Sequence, residues 1–404
     1  MSESPEDVVL PKVQWRADPD LGDGVELLAN LDARREQSWG AYSERGLEIF
    51  AYPQAASVLR SRDFISPFGR LSANSGLTPE DGWIYYHMER MLAGVQGPEH
   101  VRLKGIFLEF FGPRAVGRWK DDIRALVKKL IEGARSGNSL DLAQDVCLVL
   151  PAYLFCRLID RPEQDALFLA KTSDEILKIF EQNPQNRETI LRAGRAMKDY
   201  TERLLIEREK ELGDDLVSYL IIKRNEGALT DEELTHNVAM MLEASVDNTG
   251  NQFALTMLHL LSVPDRWEAV TRDRSLISAA ISESIRVTPK VSTINRIASV
   301  DTQVSGVSID KGTWISVSTL SAHRDPAGMA DACTFDMHRK DGRQPLVFGG
   351  GMYMCLGMFL SMLELEEGIC TLADEFPDLK LDGECSWSMT SRNITVESLK
   401  VCLA

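Results

Sequence analysis

The chain has 404 residues, 44% of them hydrophobic, and carries a formal charge of -16 at pH 7. That length can hold a large buried core, and the acidic balance argues against nonspecific binding to nucleic acid. No window reaches the roughly 18 apolar residues of a membrane span, and the start lacks the basic-then-apolar pattern of an export leader, so the expected setting is the cytoplasm. No proline-, glycine- or serine-rich linker and no internal repeat interrupts the chain. It reads as a single domain over 1–404, led by a short flexible segment over about 1–25.

In chain order the pattern is mainly helical with a small strand component. Alternation at Leu47-Glu48-Ile49-Phe50 predicts a short strand, and Tyr52 to Leu59 predicts a turn leading into a helix. The segment Trp83-Ile84-Tyr85-Tyr86-His87-Met88 is aromatic and suits either ordinary packing or the lining of a pocket. Leu140 to Leu158 predicts one apolar helix. Another ends over Glu175 to Phe180, before a polar Glu181 to Glu188 stretch that reads as a mobile loop. Thr230-Asp231-Glu232-Glu233 matches a capping box, and the helical pattern that follows runs to about Ser262, just before Pro264. At 1.5 Å per residue that helix is on the order of 48 Å long.

The middle of this helix is chemically odd. Glu243 and Asp247 stand four apart, where like charges repel, and burial of that face requires one acid to be protonated or paired. Ala244 and Asn248 share the neighbouring face, the small side chain leaving space beside the amide. Solvent exposure or interhelical hydrogen bonding would equally accommodate these polar groups.

Further on comes Phe348-Gly349-Gly350-Gly351-Met352-Tyr353-Met354-Cys355-Leu356-Gly357, followed by an apolar-periodic stretch from Met358 to Cys370. The glycines permit unusual backbone angles and close approach of amides to a bulky flat ligand. A cysteine at or just before a helix N-terminus meets free amides and the positive end of the dipole, which favour a thiolate. The other six cysteines, at 147, 156, 333, 370, 385 and 402, read as small buried hydrophobes. No CxxC pair or cysteine run supports zinc or an iron-sulphur cluster. One axial thiolate on a haem needs only Cys355.

Together with Glu283-Ser284-Ile285-Arg286, the cysteine loop and the long helix resemble a cytochrome P450 of the soluble bacterial type. The loop fits the family's Phe-Gly-x-Gly-x-His/Arg-x-Cys-x-Gly except at Tyr353. Glu283 and Arg286 match the ExxR, and Phe335-Asp336-Met337-His338-Arg339 brings Arg339 to complete a Glu-Arg-Arg network. His323-Arg324-Asp325-Pro326, Glu99 to Lys104 and Asn295-Arg296-Ile297-Ala298 also match, and the likeness covers roughly residues 30 to 404 in order.

The resemblance implies a triangular, mainly α-helical fold with a small β region, enclosing haem b between the long helix and the cysteine loop. It implies Cys355 as iron ligand, with Phe348, Gly349, Gly351, Tyr353 and Gly357 framing the site. His100, Lys104 and Arg296 would hold the propionates; Lys104 stands where the family usually has arginine, and Tyr353 replaces another cationic anchor. On the distal side Asp247 keeps the acid of the proton-delivery pair. Asn248 replaces the customary threonine; its amide donates and accepts hydrogen bonds but does not readily relay a proton. Ser245 adds a hydroxyl.

The family pattern places the aromatic segment with Trp83 and Tyr85 at a pocket-lining loop, and Met240, Glu243, Ala244, Val291, Ser292, Thr293, Met389 and Thr390 toward the substrate, with Glu243 either meeting a substrate amine or hydroxyl or closing an internal salt bridge. The implied reaction inserts one oxygen atom of O2 into a C–H bond of a small or medium apolar metabolite. Oxidative coupling, cyclisation or desaturation of an aromatic or natural-product substrate is the alternative, and a haem-binding protein that has lost turnover is a third. Electrons would come from a separate ferredoxin and ferredoxin reductase, with NAD(P)H acting only through the latter. Arg102, Arg114, Arg118 and Arg343 would present a docking face.

Overall fold

The computed structural model describes residues 10–12, 24–245, 247–327, 329–340, 344–389 and 393–403. They are mainly α-helical with a small β region, and they form two compact units. One comprises the described parts of Met1–Pro67, Ala254–Cys355 and Phe376–Ala404, the other those of Phe68–Phe253 and Leu356–Glu375.

A five-stranded sheet organises the first unit, with spatial order Gly40–Ser43, Gly46–Ile49, Trp314–Ser318, Thr293–Ala298 and Phe64–Ile65. Only the Gly46–Ile49 and Trp314–Ser318 strands run parallel, with Leu47 opposite Ile315 and Ile49 opposite Val317. The predicted strand at 47–50 exists because Leu47, Ile49 and Phe50 are almost fully buried. Glu48 between them is buried too, its carboxylate taken by Ser43 and Arg45. Pro53 opens the Tyr52–Arg60 helix, where its missing N–H costs nothing, and Ala55, Val58 and Leu59 bury that helix in the sheet's core. A ribbon of Ser386–Met389 with Ile394–Ser398 is tied in where Val291 bridges to Asn393.

The second unit is helical, and it departs from the sequence expectations in four places. Leu140 to Leu158 is not one helix. It holds a short strand Ser139–Asp141, a π-helical turn Ala143–Cys147 and the helix Leu150–Leu158, because Pro151 has no N–H to continue an earlier ladder. The polar 181–188 stretch is not a bare loop. It carries 3-10 turns at Lys178–Glu181 and Pro184–Asn186, and Arg187 at the start of the next helix is held by the Gly76 carbonyl and Asp81. The aromatic 83–88 segment lies on a helix, Trp83–Arg90.

The long helix is the fourth departure. Its capping box is present, with Glu233 N donating to Thr230 Oγ1 at 3.1 Å and Thr230 N to Glu233 Oε2 at 2.8 Å. The helix ends at Ala244, and a second helix runs Asp247–Leu261. Between them Ser245 donates its hydroxyl to the Met241 carbonyl at 2.6 Å, the back-bonding by which a mid-helix serine competes with the backbone ladder. Val246 lies outside the described residues.

Candidate functional site

In the first unit the cysteine loop packs on the Tyr52–Arg60 helix. Gly349 and Gly351 have φ of +72° and +57°, angles that L side chains adopt only with strain. A Cβ at Gly351 would meet Arg60 O at 2.9 Å, and one at Gly350 would meet Arg60 Cγ at 3.1 Å. The glycines are therefore required for close approach of the loop to its own scaffold, a reason the sequence reading did not supply. Phe348 O accepts from Cys355 N at 2.7 Å, closing the loop. Cys355 is exposed. Of the six cysteines expected to be buried, only Cys147 and Cys156 are, their thiols pushed well up and up to about 12 by desolvation. Cys370, Cys385 and Cys402 are half-buried and Cys333 is exposed, so exposure alone does not single out Cys355. Gly357 has open space around it.

Beside this loop lies Arg296, on the strand Thr293–Ala298. It is 6% exposed, its guanidinium 5.3 Å above the Tyr353 ring and donating to Asn295 O at 2.8 Å. Its Nε has no hydrogen-bond partner, and among the described residues no carboxylate pairs with it. Burial pulls its pKa down to about 10. A cation this deeply buried without a counter-charge suits an anionic group arriving from outside the chain, and the exposed thiol on the loop that Arg296 flanks suits a metal. The arrangement fits a haem with its carboxylates.

Behind the loop the predicted Glu-Arg-Arg network is complete. Arg286 grips Glu283 through Nε and Nη2 at 2.8 and 2.9 Å, and Arg339 Nε reaches the same carboxylate at 3.2 Å. The remaining guanidinium donors go to backbone carbonyls of His323, Ala332, Thr334 and Ala330. The network thereby pins the segment before the loop.

The second unit carries the other predicted groups. His100 and Lys104 share a face of the Gly97–Phe111 helix, and His100 Nδ1 lies 2.9 Å from Leu92 O. Asp247 accepts from Asn251 Nδ2 at 2.7 Å. Ala244 and Asn248 are exposed while Met240 and Glu243 are buried. Glu243 therefore does not share their open face: its Oε2 lies 3.1 Å from His87 Nε2, an internal contact, while its Oε1 has no hydrogen-bond partner among the described residues. Ser245 spends its hydroxyl proton on Met241 O.

Trp83 faces inward as well, stacked 4.4 Å from the His87 ring and 5.1 Å from that of His236, while Tyr85 sits edge-on to Tyr86. In the first unit Val291, Thr293 and Met389 are half-buried and Ser292 fully buried; Thr390 lies outside the described residues. Of the docking arginines, Arg102 is engaged by Glu233 and Arg118 stands 3.6 Å from Asp214; Arg114 is exposed and Arg343 lies outside the described residues. No described helix is long and apolar enough to cross a membrane.

His87 and His236 were missed by sequence reasoning. Their Nδ1 atoms lie 3.0 Å apart, and the available signal was the spacing of His236 and Glu243, seven apart on one face of an apolar helix.

The family model for cytochrome P450 matches residues 164–396. The chain is 33% identical to luteothin monooxygenase of Streptomyces thioluteus over 356 residues, covering 87% of each. It is 31% identical to nocardicin C N-oxygenase of Nocardia uniformis subsp. tsuyamanensis over 287 residues, or 70% of this chain and 71% of that protein. The fold matches epothilone D-bound cytochrome P450epoK with a TM-score of 0.87 at 22% identity, covering 96% of this chain and 99% of that one. With an exposed cysteine in its glycine frame, the complete Glu-Arg-Arg network and these likenesses, the chain belongs to the cytochrome P450 family of haem-thiolate monooxygenases, oxidoreductases that use haem b as cofactor and O2 as cosubstrate.

Proposed function

We propose that the protein oxidises a small or medium natural-product-like molecule bearing a polar group, and that the outcome includes coupling, cyclisation or desaturation as well as oxygen insertion. When bound, haem b supplies activation of O2 and removal of hydrogen from the substrate. In this reading Cys355 ligates the iron and Arg296, His100 and Lys104 hold the propionates. Phe348, Gly349, Gly351, Tyr353 and Gly357 frame the thiolate.

The observation that carries the reading is the exposed amide of Asn248 beside exposed Ala244. An amide at this position positions a substrate heteroatom or water by donating and accepting, without shuttling a proton itself. Holding a heteroatom there directs oxidation to it or to its neighbour. Support also comes from the relative named as an N-oxygenase. Val291, Thr293 and Met389 are the proposed apolar side of the substrate site. Retained Asp247 favours simple C–H hydroxylation as the second reading, since a carboxylate there can still pass protons through water. Electrons come from a separate ferredoxin and its reductase in both.

The test is a ligand screen read by the change in haem spin state, followed by product analysis with a surrogate ferredoxin and reductase. Products that have lost two hydrogens or gained oxygen on nitrogen support the proposal. Products that uniformly gain one oxygen atom on carbon, with Asn248→Thr leaving that outcome unchanged, support the second reading.

A further inference from the structure

The stretch 245–251 spans the break between the helices Asp231–Ala244 and Asp247–Leu261, and it carries five polar side chains, Ser245, Asp247, Asn248, Thr249 and Asn251. Of these five only Asp247 is readily ionisable. Ser245 donates its hydroxyl to Met241 O at 2.6 Å, and Thr249 Oγ1 donates to Ser361 Oγ at 3.1 Å. Neither hydroxyl therefore stands in for the one that Asn248 lacks. Proton traffic along this stretch passes through a single carboxylate, and the direction in which that carboxylate points decides where the proton goes.

Asn251 sets that direction. Its Nδ2 donates to Asp247 Oδ1 at 2.7 Å and to Asp247 O at 3.2 Å, and the residue is 2% exposed. The orientation of the carboxamide is unambiguous, because a backbone carbonyl accepts in every protonation state and so must face the NH2 end. The carboxylate oxygen beside that nitrogen is then an acceptor whether or not Asp247 is protonated. A proton carried by Asp247 sits on the other oxygen. The helix cannot turn to relax this arrangement, since it is packed against its neighbours on several sides. A Cβ at Gly250 would lie 2.7 Å from Cys147 O, a Cβ at Gly368 would lie 2.6 Å from Phe253 Cζ, and Thr249 is tied to Ser361.

We propose that Asn251 is the positioning residue for proton transfer at Asp247, holding Oδ1 as a permanent acceptor so that the second oxygen alone takes up and gives up the proton. The proton arrives on that oxygen from one water molecule and leaves from the same oxygen to another, with no electron transferred and no tautomer to reset. Asn248, exposed and able both to donate and to accept, orders the receiving water without carrying the proton. Without Asn251 the carboxylate is free to rotate about Cβ–Cγ and to present either oxygen, in directions that no longer match that water. The inference rests on Asp247 carrying protons in the chain's P450 chemistry, and on no particular substrate.

The test uses the substrate-free holoenzyme with a surrogate ferredoxin and reductase, measuring O2 uptake and hydrogen peroxide release. Reduction of O2 to peroxide consumes two electrons and two protons, and reduction to water four of each, so the split between the products reads proton supply. Asn251→Ser keeps a donor to the Asp247 carbonyl, the back-bond that a helical serine makes to the fourth residue before it, and removes the donor to the carboxylate. It should raise the peroxide fraction several-fold and enlarge the solvent deuterium isotope effect on O2 uptake about twofold, which a loss of packing alone would not do. Asp247→Asn should change both readouts in the same sense. Both unchanged in Asn251→Ser but changed in Asp247→Asn overturns the positioning role. Both unchanged in Asp247→Asn overturns the proton role of Asp247 itself, so the two failures are distinguishable. A second measurement needs no variant. In the ferrous, carbon-monoxide-bound protein labelled with 15N-asparagine, the Asn251 side-chain amide should exchange with solvent at least about tenfold more slowly than that of an exposed asparagine. Exchange as fast as at an exposed site overturns the proposal whether or not the variants fold.

Discussion

Among the described residues, no acid answers the buried cation of Arg296. Leaving a guanidinium in that state costs several kcal/mol, and the cost is recovered only if an anion occupies the same space in the working protein. Arg296→Gln should therefore leave the apoprotein as stable or more stable while releasing haem about 10–100-fold faster, measured as haem transfer to apomyoglobin. A variant that loses apoprotein stability but holds haem as tightly as before would place Arg296 in the scaffold instead. Cys355→Ser gives the companion result, loss of the thiolate-type ferrous carbon-monoxide spectrum with helix content retained. Cys355, Glu283, Arg286 and Arg296 were legible in the sequence because each sits in a short contiguous pattern. The His87–His236 contact was not, because its partners are 149 residues apart and a histidine on an apolar helix has no local signature of its partner.

At the level of elements, two joints hold the machinery. The Glu283–Arg286–Arg339 joint is buried and bidentate, and removing its one carboxylate leaves two cations facing each other. Glu283→Ala should cost on the order of 3–5 kcal/mol, read as a fall in the denaturant midpoint of the apoprotein; a loss below about 1 kcal/mol would mean that the carbonyl ring around Arg286 suffices. The second joint is Gly250, where the Asp247–Leu261 helix crosses the π-helical turn Ala143–Cys147. A Cβ there would lie 2.7 Å from Cys147 O and 2.8 Å from Leu148 Cα, so Gly250→Ala must push apart two backbones and should cost about 1–3 kcal/mol. The sequence showed the capped start of the Asp231–Ala244 helix because a capping box is local. It did not show the break after Ala244, since Ser245 and Asp247 tolerate helix and the competing bond from Ser245 Oγ is a choice of rotamer.

For the whole molecule, the five-stranded sheet joins segments near residues 40–65 to segments near 293–318, pairings that no local period announces. What the sequence also conceals is how buried titratable groups make stability depend on pH. His236 and His259 are held neutral, with pKa values lowered to about 3 and about 4 by burial. The unfolded chain takes up their protons as pH falls below about 6.5, so their stabilisation is complete above that value and is lost as pH falls toward 4 and 3. Glu364 acts in the opposite sense. It is buried, with Oε2 lacking a partner, and desolvation raises its pKa well above the ordinary value, so the folded state keeps a proton that the unfolded state loses as pH rises past about 4.5. His236→Gln should therefore shrink the stability gained between pH 5 and pH 7 by about 2 kcal/mol, and Glu364→Gln should enlarge it. Denaturant midpoints of the three proteins at the two pH values check the signs. Shifts in the same direction would show that at least one of these groups titrates with a partner its burial does not reveal.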